Sequence, residues 1–140
     1  VIVISISCDV ENISQDDYEP NNTFSDATSL DSLSSYTTML NTNLDATIHE
    51  SNDRDFFVFH GDNGEQYNLY LWWEGGLDLD LVAEFYDSNH DLISTLNDST
   101  AGSNETHSLH IDGTSGDYYL CVKSYQDNGT GEYNLQIREM

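Results

Sequence analysis

Between residues 43 and 138 the apolar residues recur at every second position, in short runs separated by turn chemistry. The runs fall near 43–49, 54–60, 65–73, 78–87, 91–96, 105–111, 117–125 and 132–138. The breaks carry GDNG at 61–64, GG at 75–76, SNH at 88–90, DGTSG at 112–116 and DNGTG at 127–131. A period of two places successive side chains on opposite faces of a strand, and Gly, Asn and Asp supply the backbone freedom of tight turns. Runs this short, with turns this close and no sustained helical period, predict an all-β antiparallel fold, a sandwich or a barrel. Upstream, residues 23–40 are Ser/Thr-rich, and Phe24, Ala27 and Leu30 stand three apart. That spacing permits one helical turn docked on a core.

Alternation also assigns faces. In YYLCV, Tyr118, Leu120 and Val122 share one side, and Lys123 on the other belongs in water, so the first set points inward. In YNLYLWW the inward set is Tyr67, Leu69, Leu71 and Trp73, with Asn68, Tyr70 and Trp72 outside. In EYNLQIR, Tyr133, Leu135 and Ile137 point in. RDFFVFH is apolar on both sides, as a strand covered on both faces would be.

The length of 140 residues suits one domain. Residues 1–15 read as an N-terminal apolar segment and acidic linker, and 16–140 as a single β-sandwich domain; linker character runs on to residue 22. The formal net charge is −23, from 26 acids against Arg54, Lys123 and Arg138. Phosphate binding needs clustered Lys and Arg, so nucleic acid is excluded as a partner and anionic membrane is disfavoured. Nothing approaches the ~20 apolar residues of a membrane span. The charge favours cations instead. Five Asn-x-Ser/Thr sequons, at Asn12, Asn21, Asn97, Asn104 and Asn128, fit an extracellular setting. The run VIVISISC ends at Cys8, where the chain turns acidic. Cys8 reads either as the lipid-attachment site closing a signal peptide, or as the partner of Cys121 in one disulfide, or as the end of an apolar strand.

Chemistry-bearing constellations are sparse. Asp78 and Asp80 in LDLDLV share one face of a strand, but nothing nearby would raise the pKa of either for acid–base work. His107 and His110, three apart on a strand, face opposite ways and make a poor metal pair. No nucleophile or phosphate-loop motif places a catalytic group, so the chain is expected not to be an enzyme. Tyr70, Trp72, Tyr119 and Tyr125 fall on outward faces. On neighbouring strands they would form an aromatic platform for a collagen-like peptide or sugar rings; otherwise they cover a second small cluster or a subunit contact. The densest feature is DDYEPNNTFSDA at 16–27, where side-chain oxygens gather around Pro20 with no Lys or Arg beside them. Such a cluster is costly bare and stabilising around a divalent cation.

Taken in order, EPNN after acidic residues, IHESNDRDFFVF, DLDLVAEFYD, SGDYYLCVKSY and GEYNLQI resemble the bacterial pre-peptidase C-terminal domain, the family that includes the collagen-binding domains of clostridial collagenases. The resemblance covers about residues 16–138. It implies a jelly-roll-like β-sandwich of about eight strands, serving as an accessory domain of secreted peptidases and other exported proteins. It implies Ca²⁺ held by Asp17, Glu19, Asn21 and Asn22 on one side and by Ser51, Asp53 and Asp55 on the other. Where the family often has Glu, this chain has the shorter Asp17. Calcium takes six to eight hard oxygens, and this set is of that kind. The expectation is therefore a noncatalytic, calcium-binding accessory domain of a secreted or surface protein. It would adhere to an extracellular protein or polysaccharide such as collagen, with a peptidase domain possible upstream. The alternative is a carbohydrate-binding module.

Overall fold

In a computed structural model that describes residues 13–76, 78–97 and 100–140, the alternating runs fold as strands of two facing sheets. The strands are β1 (Thr28–Ser29), β2 (Asn41–Ile48), β3 (Arg54–Gly61), β4 (Gln66–Gly75), β5 (Leu81–Tyr86), β6 (Leu92–Leu96), β7 (Glu105–His110), β8 (Gly116–Ser124) and β9 (Gly131–Glu139). One sheet runs β1-β3-β8-β5-β6 and the other β2-β9-β4-β7. All pairs are antiparallel except β1 with β3. The fold class is all-β, a sandwich and not a barrel.

The inward faces assigned from alternation form the core. Tyr67, Leu69 and Leu71 of β4 and Tyr133, Leu135 and Ile137 of β9 face Phe57 and Phe59 of β3 and Tyr118, Leu120 and Val122 of β8, all buried. Each such side chain contributes about 1.5–3 kcal/mol on leaving water. Leu30 lies at 0% exposure in the same core, between short 3-10 turns at Phe24–Asp26 and Asp31–Leu33. Its backbone N–H donates to Val58 (2.8 Å), continuing the β1 pairing. The segment from 14 to 30 is thus a strap along β2 and β3, and its described part is not a free linker. Phe24 covers the outer face of β3 by packing on Phe56, which explains why RDFFVFH is apolar on both sides.

Two expectations for Asp78 and Asp80 are corrected: burial and then Glu105 raise the Asp80 carboxyl, where nothing nearby was expected to do so, and the pair does not lie on a strand. β5 begins at Leu81, so Asp78 and Asp80 precede the strand and do not share a strand face. Asp78 sits in the left-handed region (φ 55°), and residues 76, 78 and 79 lie against residues 129–131. A Cβ on Gly129 would stand 2.3 Å from the Asp78 carbonyl oxygen, so only glycine permits that crossing. His107 and His110 do face opposite ways, the first half-buried and the second exposed. Cys121 is a buried free thiol. The readings of Cys8 and of residues 1–12 lie outside the described residues. No described helix is long and apolar enough to cross a membrane.

Candidate divalent-cation site

The site forms where the strap crosses the turn between β2 and β3. Asp16 pins the strap: its Oδ1 accepts from Tyr18 N (2.8 Å) and its Oδ2 from Thr47 N (2.7 Å). Thr47 Oγ1 donates to the Ser14 carbonyl (2.9 Å), and Phe56 N donates to the Asn21 carbonyl (2.8 Å). Glu19 is thereby held over the turn, and the Glu19–Pro20 peptide is cis. The turn closes through Asp53 Oδ2, which accepts from His49 N (3.0 Å).

Four of the expected ligands converge here. Asn21 and Asp55 are fully buried and Asp53 is nearly so. The end of the Asn21 amide lies 3.2 Å from Asp55 Oδ1 and 3.3 Å from Glu19 Oε2. With its NH₂ turned toward them it donates to both carboxylates. With its carbonyl oxygen turned toward them the three atoms are an oxygen triangle that only a cation would stabilise. Asp55 Oδ2 accepts from the Tyr133 hydroxyl at 2.5 Å. Glu19 Oε2 also accepts from Asn21 N and Asn22 Nδ2, both at 3.2 Å.

The remaining expected ligands stand apart. Asn22 is exposed and presents its nitrogen to Glu19, as a donor rather than an oxygen ligand. Asp17 and Ser51 are exposed. Sequence reasoning missed His49, whose Nδ1 lies 3.2 Å from Glu19 Oε1 and 2.7 Å from Asp53 Oδ2. Its signal was present in IHESNDRDFF, four residues ahead of Asp53, but only the turn geometry aims the ring inward.

The electrostatics match a site built around positive charge. Burial, against the Tyr133 hydrogen bond and with help from Asp53, Asp16 and Glu19, pushes the Asp55 carboxyl up to about 9. Burial and then Asp53 raise Glu19. Glu19 Oε1 and Asp53 Oδ1 are buried without a hydrogen-bond partner. A buried carboxylate oxygen lacking a donor costs about 1–3 kcal/mol or more. The residues present therefore fit the hard divalent ion that the family resemblance implies: Glu19, Asn21, Asp53 and Asp55 would hold it, and it would supply the missing charge.

The four outward aromatics do not form one platform. Tyr70 and Trp72 lie on β4 in the four-stranded sheet, with ring centroids 6.4 Å apart. Tyr119 lies on β8 in the other sheet, and Tyr125 follows β8, so the two pairs point away from each other. Strand alternation fixes faces but not sheet membership, which is why the reading failed. Tyr119 instead packs edge-on against Phe24 (5.2 Å) and His90 (5.0 Å), closing a second aromatic cluster over the five-stranded sheet. The face carrying Tyr70 and Trp72 is amide-rich, with Asn134 and Gln136 buried in it. Trp72 aligns with Asn134 and Asp45, and Tyr70 with Gln136 and Asn43. Asn134 Nδ2 donates to Asn43 Oδ1 (2.7 Å) and Asp45 Oδ1 (2.8 Å).

A two-sheet antiparallel sandwich with a strap that completes a buried acidic centre is thus the class that fold and site define. The same fold occurs in the pre-peptidase C-terminal domain of collagenase from Bacillus anthracis, at 15% identity and a TM-score of 0.54, over 69% of this chain and 88% of that one. It also occurs in Aeromonas hydrophila PliG, a periplasmic lysozyme inhibitor of g-type lysozyme, at 11% identity and a TM-score of 0.60, over 81% of this chain and 96% of that one. No family model matches the sequence, and no curated protein matches it.

Proposed function

We propose that the chain is a noncatalytic accessory domain of an exported or surface protein, stabilised by Ca²⁺ and serving to attach that protein to an extracellular polymer such as collagen. The observation that carries this reading is the convergence of Glu19 Oε2, the Asn21 amide and Asp55 Oδ1 in a buried place where a bare carboxylate is costly. The shared fold with a domain of a collagenase supports an accessory role beside a peptidase. Asp55, Tyr133 and Cys121, all raised by burial, are buried in the sandwich and offer no open face to a substrate. A net charge of −23 suits neither nucleic acid nor anionic lipid.

Scanning calorimetry with calcium and with chelator, at fixed ionic strength, tests the cation. A ligand binding only the folded state at a hundredfold excess over its Kd stabilises by about 2.7 kcal/mol. An unchanged midpoint overturns calcium binding. A panel of immobilised collagen and polysaccharides tests attachment. One observation favours a carbohydrate-binding module as the second reading: Tyr70 and Trp72 stand near the exposed Asn43 on one sheet face and offer ring stacking with an amide close by. Retention on a polysaccharide and not on collagen, lost in Trp72→Ala, would select it.

A further inference from the structure

The β5–β6 hairpin and the β7–β8 loop meet at one end of the sandwich and enclose a cavity of about 360 Å³. Its apolar side is formed by Ile111 and Tyr118, both buried, and by Ile93 of β6, which is 48% exposed. A bulge puts Ile93 there: Phe85 aligns with Ser94 and Tyr86 with Leu92, so Ile93 has no opposite number on β5. An extra residue in an edge strand re-aims its side chain, here into the wall of the cavity. Leu92 beside it is 55% exposed. Adjacent exposed aliphatics on a strand that ends its sheet, in a run LISTL that carries no charge, mark a contact surface. The rim of the cavity is acidic. Asp87 stands on the hairpin and Asp112 on the loop, and among the described residues that line the cavity none is Lys or Arg. Both walls are braced. Asp87 Oδ1 accepts from Asn89 N (2.8 Å) and Asp91 N (2.9 Å), which fixes the hairpin turn and the carboxylate together. The Tyr118 hydroxyl donates to the Thr114 carbonyl (2.9 Å) and Gly113 N to Asn63 Oδ1 (3.3 Å), which holds the loop. The cavity is thus formed before anything enters it.

We propose that this cavity, with the Leu92–Ile93 edge beside it, docks a partner protein by one of that protein's lysine or arginine side chains. The lining selects the occupant. Lysine and arginine carry an aliphatic stem and a cationic head, and such stems lie along apolar surface while the head stays with polar groups. The stem packs on Ile93, Ile111 and Tyr118, and the head reaches the Asp87 and Asp112 carboxylates. Apolar neighbours of that residue on the partner cover Leu92. Net charge selects again. At −23, a second copy of this chain brings like charge to the edge, whereas a cationic protein surface is drawn to it from a distance. The surface is also clear of the strap, because β6 ends the five-stranded sheet at the opposite edge from β1. The proposal therefore rests neither on the cation at Asp55 nor on attachment to a polymer.

The test is an NMR titration of the whole chain, at roughly 0.15 M salt, with the capped peptide Gly-Val-Lys-Val-Gly and with two controls in which norleucine or glutamate replaces the lysine. The expected result is that the lysine peptide moves the resonances of Ile93, Ile111, Gly113 and Tyr118, and that both controls bind about fivefold more weakly or worse, the upper end of what an exposed ion pair supplies. Ile93→Ser, and separately Asp87→Asn combined with Asp112→Asn, should weaken the lysine peptide by a similar factor. Asparagine caps the same turn as aspartate, so the second variant should keep its fold, and an unchanged melting midpoint checks this for both. Shifts scattered over the acidic surface, or equal binding of the norleucine peptide, overturn the proposal. So does butylamine binding as tightly as the peptide, which would assign the cavity to small amines. Self-association in sedimentation that Ile93→Ser abolishes would make a second copy the occupant and overturns it as well. The same shifts with calcium and with chelator sustain it whatever becomes of the calcium reading.

Discussion

Tyr133 on β9 donates its hydroxyl to Asp55 Oδ2 on β3 at 2.5 Å, a hydrogen bond that crosses the core from one sheet to the other. Both residues are fully buried. The bond fixes one oxygen of Asp55 and leaves the other facing Asn21 and Glu19. Tyr133→Phe deletes the donor and keeps the ring. It should cost about 1–3 kcal/mol, because an acceptor is left buried without a partner. Denaturant unfolding measures the loss, and a change below a few tenths would mean that Asp55 finds another donor.

Asp55→Asn separates fold from ion. The amide is nearly isosteric and carries no charge to desolvate. In chelator the variant should be at least as stable as the unmodified chain, and its melting midpoint should no longer respond to calcium. A variant less stable in chelator yet still calcium-responsive would place the ion elsewhere.

The raised Asp55 carboxyl sets a pH dependence. Its folded value of about 9 stands above the ordinary 3.8, so between those limits the folded state holds a proton that the unfolded chain has released. Stability from this group is full below about 3.8 and declines as pH rises toward 9. In chelator the melting midpoint should therefore be lower at pH 8 than at pH 5. A cation at the site needs the ionised form, so calcium affinity should rise over the same window with proton release. Calorimetry in two buffers of different ionisation heat detects the proton, and equal heats would contradict the assignment.

The two outward aromatics should behave oppositely on truncation. Trp72 is 42% exposed and, among the described residues, its one ring neighbour is Tyr70, so Trp72→Ala should change stability by less than about 1 kcal/mol. Tyr119 closes the Phe24–His90 cluster, so Tyr119→Ala should cost about 1–3 kcal/mol and loosen the strap. Thermal melts distinguish them, and equal losses would show the cluster to be energetically idle.

Monovalent salt should stabilise the domain. With 26 acids against 3 bases, repulsion in the folded state is strong and screened steeply up to roughly 0.15 M, where the Debye length is about 8 Å. The gain should shrink once divalent ions occupy the strap, which a salt series of melts with and without calcium would reveal.

Strand identity and inward faces were legible because they are local: period two needs only neighbours in sequence, and Tyr118, Leu120 and Val122 announce their side by alternating with Lys123. The oxygens of 16–27 stand out in the sequence by their crowding, whereas Asp53 and Asp55 were reached only through the family resemblance. What depends on pairing between distant segments was not legible. The three-residue spacing of Phe24, Ala27 and Leu30 signals a turn docked on the core, and Leu30 does enter it, but nothing in TFSDATSLDS says that Phe24 seals the outside of β3. The separation of Tyr70 from Tyr119 follows from β4 pairing with β9 and β8 pairing with β3 and β5, which alternation does not encode. His49 sits where the chain reverses, and its inward aim is set by the Asp53 carboxylate capping that turn.

The full burial of Asn21 has a practical consequence for how the protein is made. Asn21 opens a sequon, NNT, yet its side chain is enclosed against Asp55 and Glu19 and its carbonyl is bonded to Phe56. An oligosaccharide transferred there during translocation could not be accommodated once the strap closes. Material from a eukaryotic secretory host should therefore split into a compact fraction bare at Asn21 and an open, protease-sensitive fraction glycosylated there, and Thr23→Ala should restore a uniform product.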